Sequence, residues 1–164
     1  KEVERRRIGD YAREHRDARY TAGGCIWDIP CDIALPCATQ NELDQNDAKH
    51  LIANGVICVA EGANMPSTLE AVEVFQQAGI LYAPGKASNA GGVATSGLEM
   101  SQNALRLSWT HAEVDARLHA IMMEIHALCV RHGTRTDRSI NYVQGANVAG
   151  FVKVADAMLA QGVC

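Results

Sequence analysis

Three short apolar runs, each followed by a helical pattern, constrain this chain more than any other feature. "DIALPC" (32–37) leads into "NDAKHLIANG" (46–55), and "VICVAEGA" (56–63) leads into "STLEAVEVFQQAG" (67–79). "GILYAP" (79–84) leads into "SNAGGVATSG" (88–97) and a long apolar-periodic stretch. Strands that alternate with helices form a parallel sheet, because parallel neighbours need a crossover between them. The runs are almost wholly apolar rather than alternating, which predicts strands covered on both faces. Asn54-Gly55 and Ala78-Gly79 place glycine where a helix C-cap needs positive φ, and Pro66 with Ser67 and Thr68 marks a helix entry.

The chain after this alternation reads as helical. From 111 to 132 the apolar residues Val114, Leu118, Ile121, Met122, Ile125, Leu128 and Cys129 form one stripe of an amphipathic helix. A last helix covers about 141–161, with Val148, Phe151, Val152 and Ala155 apolar. The first twenty residues also read as helix, with Val3, Arg7, Ile8, Tyr11 and Ala12 on one side. The basic cluster Arg5, Arg6 and Arg7, set among Glu2, Glu4 and Asp10, is read as a solvated helix face, with a polyanion site as the lesser alternative. The expected fold class is therefore α/β: the C-terminal part of a Rossmann-like parallel sheet, followed by several helices.

Composition narrows the function classes. With 48% hydrophobic and 21% charged residues the chain can build a packed core. A net charge of −4 argues against a dedicated nucleic-acid binder, which needs a basic face. No run of about 18 apolar residues occurs, which argues against a membrane-spanning helix. The opening "KEVERRRIGD" lacks the apolar segment of a secretion signal and begins in mid-pattern without Met, so a piece of a longer chain is expected. The six cysteines include no CxxC pair, and free thiols in a reducing, cytoplasmic compartment are the expectation.

Ligands of open parallel sheets sit beyond the carboxyl ends of the strands. All three runs end in loops of small or polar residues, "PCATQNE", "EGANMPS" and "APGKASNAGG". Each alone reads as an ordinary turn; three at one edge point to a binding crevice. No GxGxxG fingerprint and no Walker P-loop is present.

Asn89, Val93 and Ser96 lie at i, i+4 and i+7, a span of roughly 700° on a helix, so they share one stripe if the helix includes Asn89. Gly91 and Gly92 beside them leave backbone N–H groups open to an anion. The alternative is that Ser88 or Asn89 merely caps the helix while the glycines allow close packing; both readings stand at this point. His111, Asp115 and His119, with His126 one heptad on, have spacing that could ligate a metal, but no HExxH-type signature supports it and no metal is expected. Lys86 could be a lysine tuned by burial or, more simply, a loop residue that meets solvent or an anion.

The strings "DIALPCATQNEL", "VAEGANMPST", "APGKASNAGGVATSGLEM" and "NYVQGANVAGFVKVADAMLAQG" closely resemble the C-terminal part of the hexameric NADP-type glutamate dehydrogenases of bacteria. The resemblance covers essentially all 164 residues. It implies a two-domain subunit in which a first domain supplies the catalytic lysine and aspartate and a second binds the nicotinamide cofactor. Residues 1–88 would be the C-terminal βα units of the dinucleotide-binding domain, and 89–164 a helical segment returning toward the first domain. No catalytic residue is then expected in this chain. By resemblance, Ala38 and Thr39 lie beside the nicotinamide ribose, Asn64 contacts the cofactor, and Asn89 holds the nicotinamide carboxamide. Val93 and Ser96 resemble the pair that contacts bound glutamate, the serine hydroxyl donating to its side-chain carboxylate. The implied reaction is reversible reductive amination of 2-oxoglutarate with ammonium to L-glutamate, with NADP as cofactor, in a homohexamer. A dehydrogenase of another amino acid, or a non-catalytic module acting in assembly or regulation, are the alternatives.

Overall fold

The computed structural model describes residues 6–162. Three parallel strands, β1 (Ile33–Ala34), β2 (Cys58–Ala60) and β3 (Leu81–Ala83), stand side by side in that order. Ile33 pairs with Cys58, and Cys58 with Leu81. The helices are α1 (Ile8–Glu14), α2 (Gln45–Ala53), α3 (Leu69–Gln77), α4 (Gly85–Ser88), α5 (Gly91–Ala104), α6 (His111–Gly133) and α7 (Tyr142–Gln161). The helix predicted for the first twenty residues is thus seen only as α1, and its proposed start at Val3 and Arg5 lies outside the described residues, as does Cys164.

The crossover helices are delimited by local chemistry. Asp44 caps α2, its carboxylate accepting the N–H groups of Asn46 (2.7 Å) and Asp47 (3.0 Å), while Asp47 returns a bond to the Asp44 N–H. Thr68 caps α3 through Ala71 N–H. Gly55 (φ 89°) and Gly79 (φ 72°) end these two helices in the left-handed region, as their sequence positions require.

One face of the sheet carries the core. Ala34, Val59 and Tyr82 point to the side covered by Ala48 and Leu51 of α2 and Ala71 and Phe75 of α3, all buried. Phe75 stacks on Tyr82 with ring centroids 5.7 Å apart. Trp27, in a short 3-10 turn (Ile26–Asp28), joins this core and donates its Nε1–H to Glu42 O at 3.2 Å. On the opposite face Ile33, Leu35 and Leu81 are exposed. Cover on both faces, expected from the apolar runs, is therefore seen on one, with α7 reaching the sheet beside β3.

The C-terminal helices pack on each other. Most of the α6 stripe read from the sequence is the inward face, with Val114, Leu118, Ile121, Met122 and Ile125 half-buried and Cys129 buried, while Leu128, expected in the same stripe, is exposed at its margin. At the α6–α7 crossing a Cβ on Gly145 would stand 2.1 Å from Cys129 O, so only glycine permits this approach. Among the described residues no helix is long and apolar enough to cross a membrane.

Candidate functional site

The chain emerges from the carboxyl ends of all three strands into loops that meet around one cleft of about 670 Å³. Its walls are residues 37–40 after β1, 62–64 after β2, and Asn89, Gly92 and Val93 after β3. Backbone bonds tie the first two loops together. Gly62 and Ala63 N–H donate to Pro36 O (2.9 and 3.2 Å), Asn41 N–H to Met65 O (3.0 Å) and Leu43 N–H to Pro66 O (3.0 Å). Asn41 (φ 54°) and Met65 (φ 47°) turn these loops through the left-handed region. That conformation costs a non-glycine residue on the order of 1–3 kcal/mol, so the cleft rim stores strain at Met65.

The first wall is set from within its own loop. Glu42 Oε1 accepts the N–H of Ala38 at 2.8 Å and that of Thr39 at 3.4 Å, which holds both residues on the rim. The third wall is tied to the second by Asn89. Its Nδ2 donates to Ala63 O (3.0 Å) and to Asn64 Oδ1 (3.1 Å). Among the described residues Asn89 Oδ1 and Asn64 Nδ2 make no hydrogen bond, which leaves one acceptor and one donor on the pair. A primary carboxamide presents the complementary donor and acceptor.

Five of the six residues singled out from the sequence, Ala38, Thr39, Asn64, Asn89 and Val93, line this one cleft. Ser96 does not line it; it is exposed one turn further along α5, its hydroxyl making only a long 3.4 Å bond to Gly92 O. The helix that carries the stripe begins at Gly91, with Ala90 as its cap, and Asn89 stands just outside it with near-helical backbone (φ −94°, ψ 3°). Neither Ser88 nor Asn89 caps α5 by its side chain. Ser88 Oγ instead donates to Glu61 O (2.6 Å) and Pro84 O (3.0 Å). The two glycines divide their roles: Gly91 lies against Leu118 and Met122 of α6, and Gly92 opens onto the cleft.

Lys86 turns away from the cleft and donates to Asn147 Oδ1 of α7 at 2.6 Å. His111, Asp115 and His119 are exposed on α6, while His126 Nε2 lies 3.1 Å from Tyr142 Oη. No group of three potential metal ligands occurs among the described residues.

Sequence reasoning missed Glu61, which is only 4% exposed at the end of β2. Its carboxylate accepts Tyr82 Oη–H (2.5 Å) and Ser67 N–H (3.2 Å) on Oε1, and Gly85 N–H (2.7 Å) on Oε2. Burial, reinforced by the Glu61 carboxylate, pushes the Tyr82 phenol well above its ordinary pKa and keeps it a donor. The one signal in the sequence was a charged residue closing an apolar run.

The side chains lining the cleft offer amides, a hydroxyl, a thiol and apolar surface, but no carboxylate, imidazole or ammonium. Such a surface offers a ligand hydrogen bonds and apolar contact.

An open parallel sheet with a polar crevice past its strand ends is the architecture of α/β nucleotide-binding domains. The chain belongs to the Glutamate/Leucine/Phenylalanine/Valine dehydrogenase family, whose model matches residues 1–162. It is 68% identical over 157 residues to the NADP-specific glutamate dehydrogenase of Escherichia coli (strain K12), a match that takes in 96% of this chain and 35% of that protein. With the NAD(P)-specific glutamate dehydrogenase of Xylanibacter ruminicola it shares 62% over 163 residues, 99% of this chain and 36% of the relative. The structure of Plasmodium falciparum glutamate dehydrogenase 2 superposes with a TM-score of 0.91 at 48% identity, covering 98% of this chain and 35% of that one. The chain thus spans about a third of the length of the relatives it matches.

Proposed function

We propose that this chain is the cofactor-side, C-terminal portion of an NADP-dependent glutamate dehydrogenase, an oxidoreductase that reductively aminates 2-oxoglutarate with ammonium to L-glutamate, reversibly. The observation that carries the reading is the cleft itself: three strand-end loops converge on the Asn64–Asn89 amide pair, whose unused acceptor and donor match a nicotinamide carboxamide. Ala38 and Thr39, fixed by Glu42, would flank the nicotinamide ribose. The chemistry the bound cofactor supplies is hydride transfer. The chain's own part is orientation: it holds the nicotinamide ring in the cleft while Val93 and Ser96, on the next two turns of α5, face the substrate.

Val93 is 74% exposed and Ser96 is exposed, as residues should be that await a substrate and the domain that brings it. The Ser96 hydroxyl, held only by its long 3.4 Å bond to Gly92 O, can turn to donate to the distal carboxylate of 2-oxoglutarate, which favours a dicarboxylate over the branched or aromatic substrates of other amino-acid dehydrogenases. In this reading 1–88 belong to the dinucleotide-binding domain and 89–164 lead back toward the substrate domain, where the catalytic acid–base groups would lie. NADP rests on the names of relatives such as that of E. coli; the name of the Xylanibacter relative admits either coenzyme. A homohexamer in the cytoplasm is the accompanying expectation, supported by the family resemblance and by free cysteines.

The test is oxidation of NADPH and of NADH by the complete protein with 2-oxoglutarate and ammonium, set beside branched-chain and aromatic 2-oxo acids. Turnover with 2-oxoglutarate and NADPH is expected; a preference for another 2-oxo acid would replace this reading with the related amino-acid dehydrogenases.

A further inference from the structure

We propose that Glu61 is a positioning residue for the cleft: a single buried carboxylate that sets the distance between Asn64 and Asn89, an inference that rests on the cofactor reading above. Glu61 touches both segments that carry these asparagines. Through Oε1 it holds Ser67 N–H at the far end of the 61–67 turn, and Asn64 lies in the middle of that turn. Through Oε2 it holds Gly85 N–H at the start of α4, and Asn89 follows directly at that helix's end. The Glu61 main chain completes the frame: its N–H donates to Ala83 O (3.1 Å), and its carbonyl accepts Ser88 Oγ–H (2.6 Å).

All three partners of the side chain are donors, a pattern that the two accepting oxygens of a carboxylate satisfy and an amide cannot. Glutamine has nearly the same shape but offers one accepting atom and one donating atom. Whichever way its amide turns, the N–H of Gly85 or of Ser67 faces another N–H. Tyr82 can rotate its hydroxyl to escape such a clash; a backbone N–H cannot. Glu61→Gln therefore releases one of the two segments, and with it one member of the Asn64–Asn89 pair. Tyr82→Phe removes a partner of the same carboxylate yet leaves both backbone bonds in place.

The experiment is titration of the complete protein with NADPH, followed by nicotinamide fluorescence, alongside steady-state kinetics and thermal unfolding of each variant. Glu61→Gln should raise the Kd for NADPH about tenfold, the effect of losing one good hydrogen bond to a charged group. The KM for ammonium should stay within about twofold, and Tyr82→Phe should leave the Kd within about twofold even if its Tm falls. A folded Glu61→Gln protein with lowered Tm and unaltered Kd would show a purely structural carboxylate and overturn the proposal. Should Glu61→Gln fail to fold, Gly85→Ala decides: its Cβ would stand 3.0 Å from Ala63 O, 3.2 Å from Glu61 Oε2 and 3.3 Å from Asn89 Nδ2, pressing on the same frame. An unchanged Kd in that variant overturns the proposal equally. Absence of NADPH and NADH binding in the unaltered protein would instead refute the cofactor reading on which the proposal stands.

Discussion

Asn89 Nδ2 donates to Asn64 Oδ1 at 3.1 Å, linking the loop after β2 to the segment after β3 across 25 residues of sequence. The bond fixes which way both amides face and leaves the complementary atoms of the pair without a hydrogen bond among the described residues. Replacing either asparagine by alanine should weaken cofactor binding, and the two losses should not add. A double-mutant cycle on NADPH affinity in the complete protein is expected to give a coupling of about 0.5–1.5 kcal/mol, the usual net worth of one hydrogen bond. Additive effects would mean that the pair does not act as a unit.

The substrate end of the stripe makes a separate prediction. Ser96→Ala removes a hydroxyl that lies outside the cleft and is not needed for folding, so Tm should hold. The KM for 2-oxoglutarate should rise by the worth of a hydrogen bond to a charged group, about 1.5–3 kcal/mol, while NADPH affinity stays constant. An unchanged kcat/KM for 2-oxoglutarate would remove Ser96 from the substrate site.

Tyr82 makes the protein sensitive to alkali. Its pKa is raised from 10.0 by burial and by Glu61, so the folded state holds a proton that the unfolded chain releases. The stabilisation is fully present below pH 10.0 and is lost as pH climbs from there toward the folded-state pKa. Unfolding midpoints measured between about pH 8 and pH 11 should fall more steeply for the unaltered protein than for Tyr82→Phe. Parallel curves would contradict the buried, protonated phenol.

At the α6–α7 crossing the limit is steric. Gly145→Ala would place a methyl 2.1 Å from Cys129 O and 2.9 Å from its carbonyl carbon, both of them backbone atoms. The helices must part, at a cost of about 3 kcal/mol or more. Thermal unfolding of the variant should show a correspondingly large drop in Tm.

The order of strands and helices was legible because each run of apolar residues was bounded by chemistry with one meaning. Thr68 caps α3 at the entry that Pro66 and Ser67 mark, and Gly55 and Gly79 adopt the positive φ expected of their positions, whereas the Asp44 cap of α2 was not singled out. The meeting of Ala38, Thr39, Asn64, Asn89 and Val93 at one cleft follows from strand parallelism, which sends every carboxyl end to the same edge.

What escaped the sequence is what depends on contacts between distant residues. Glu61 reads as a stray charge until Tyr82 and Gly85, 21 and 24 residues away, are seen to close on it. Trp27 joins the core only because the 3-10 turn folds back against Glu42, and no periodicity announces that. The strain at Met65 is likewise invisible, since methionine carries no preference for the left-handed region it occupies. The break between α4 and α5 at Asn89 and Ala90 separates what periodicity reads as a single helix start; near-helical backbone there keeps Asn89 and Val93 on the same cleft.

The central claim is that cofactor and substrate meet where these loops converge. A crystal structure of the complete protein with NADPH and 2-oxoglutarate tests it most directly. The nicotinamide carboxamide should lie within about 3.2 Å of the Asn89 side chain, with the substrate's distal carboxylate at the Ser96 hydroxyl. A nicotinamide ring bound elsewhere, with the cleft between residues 37–40, 62–64 and Asn89 left empty, would contradict the account.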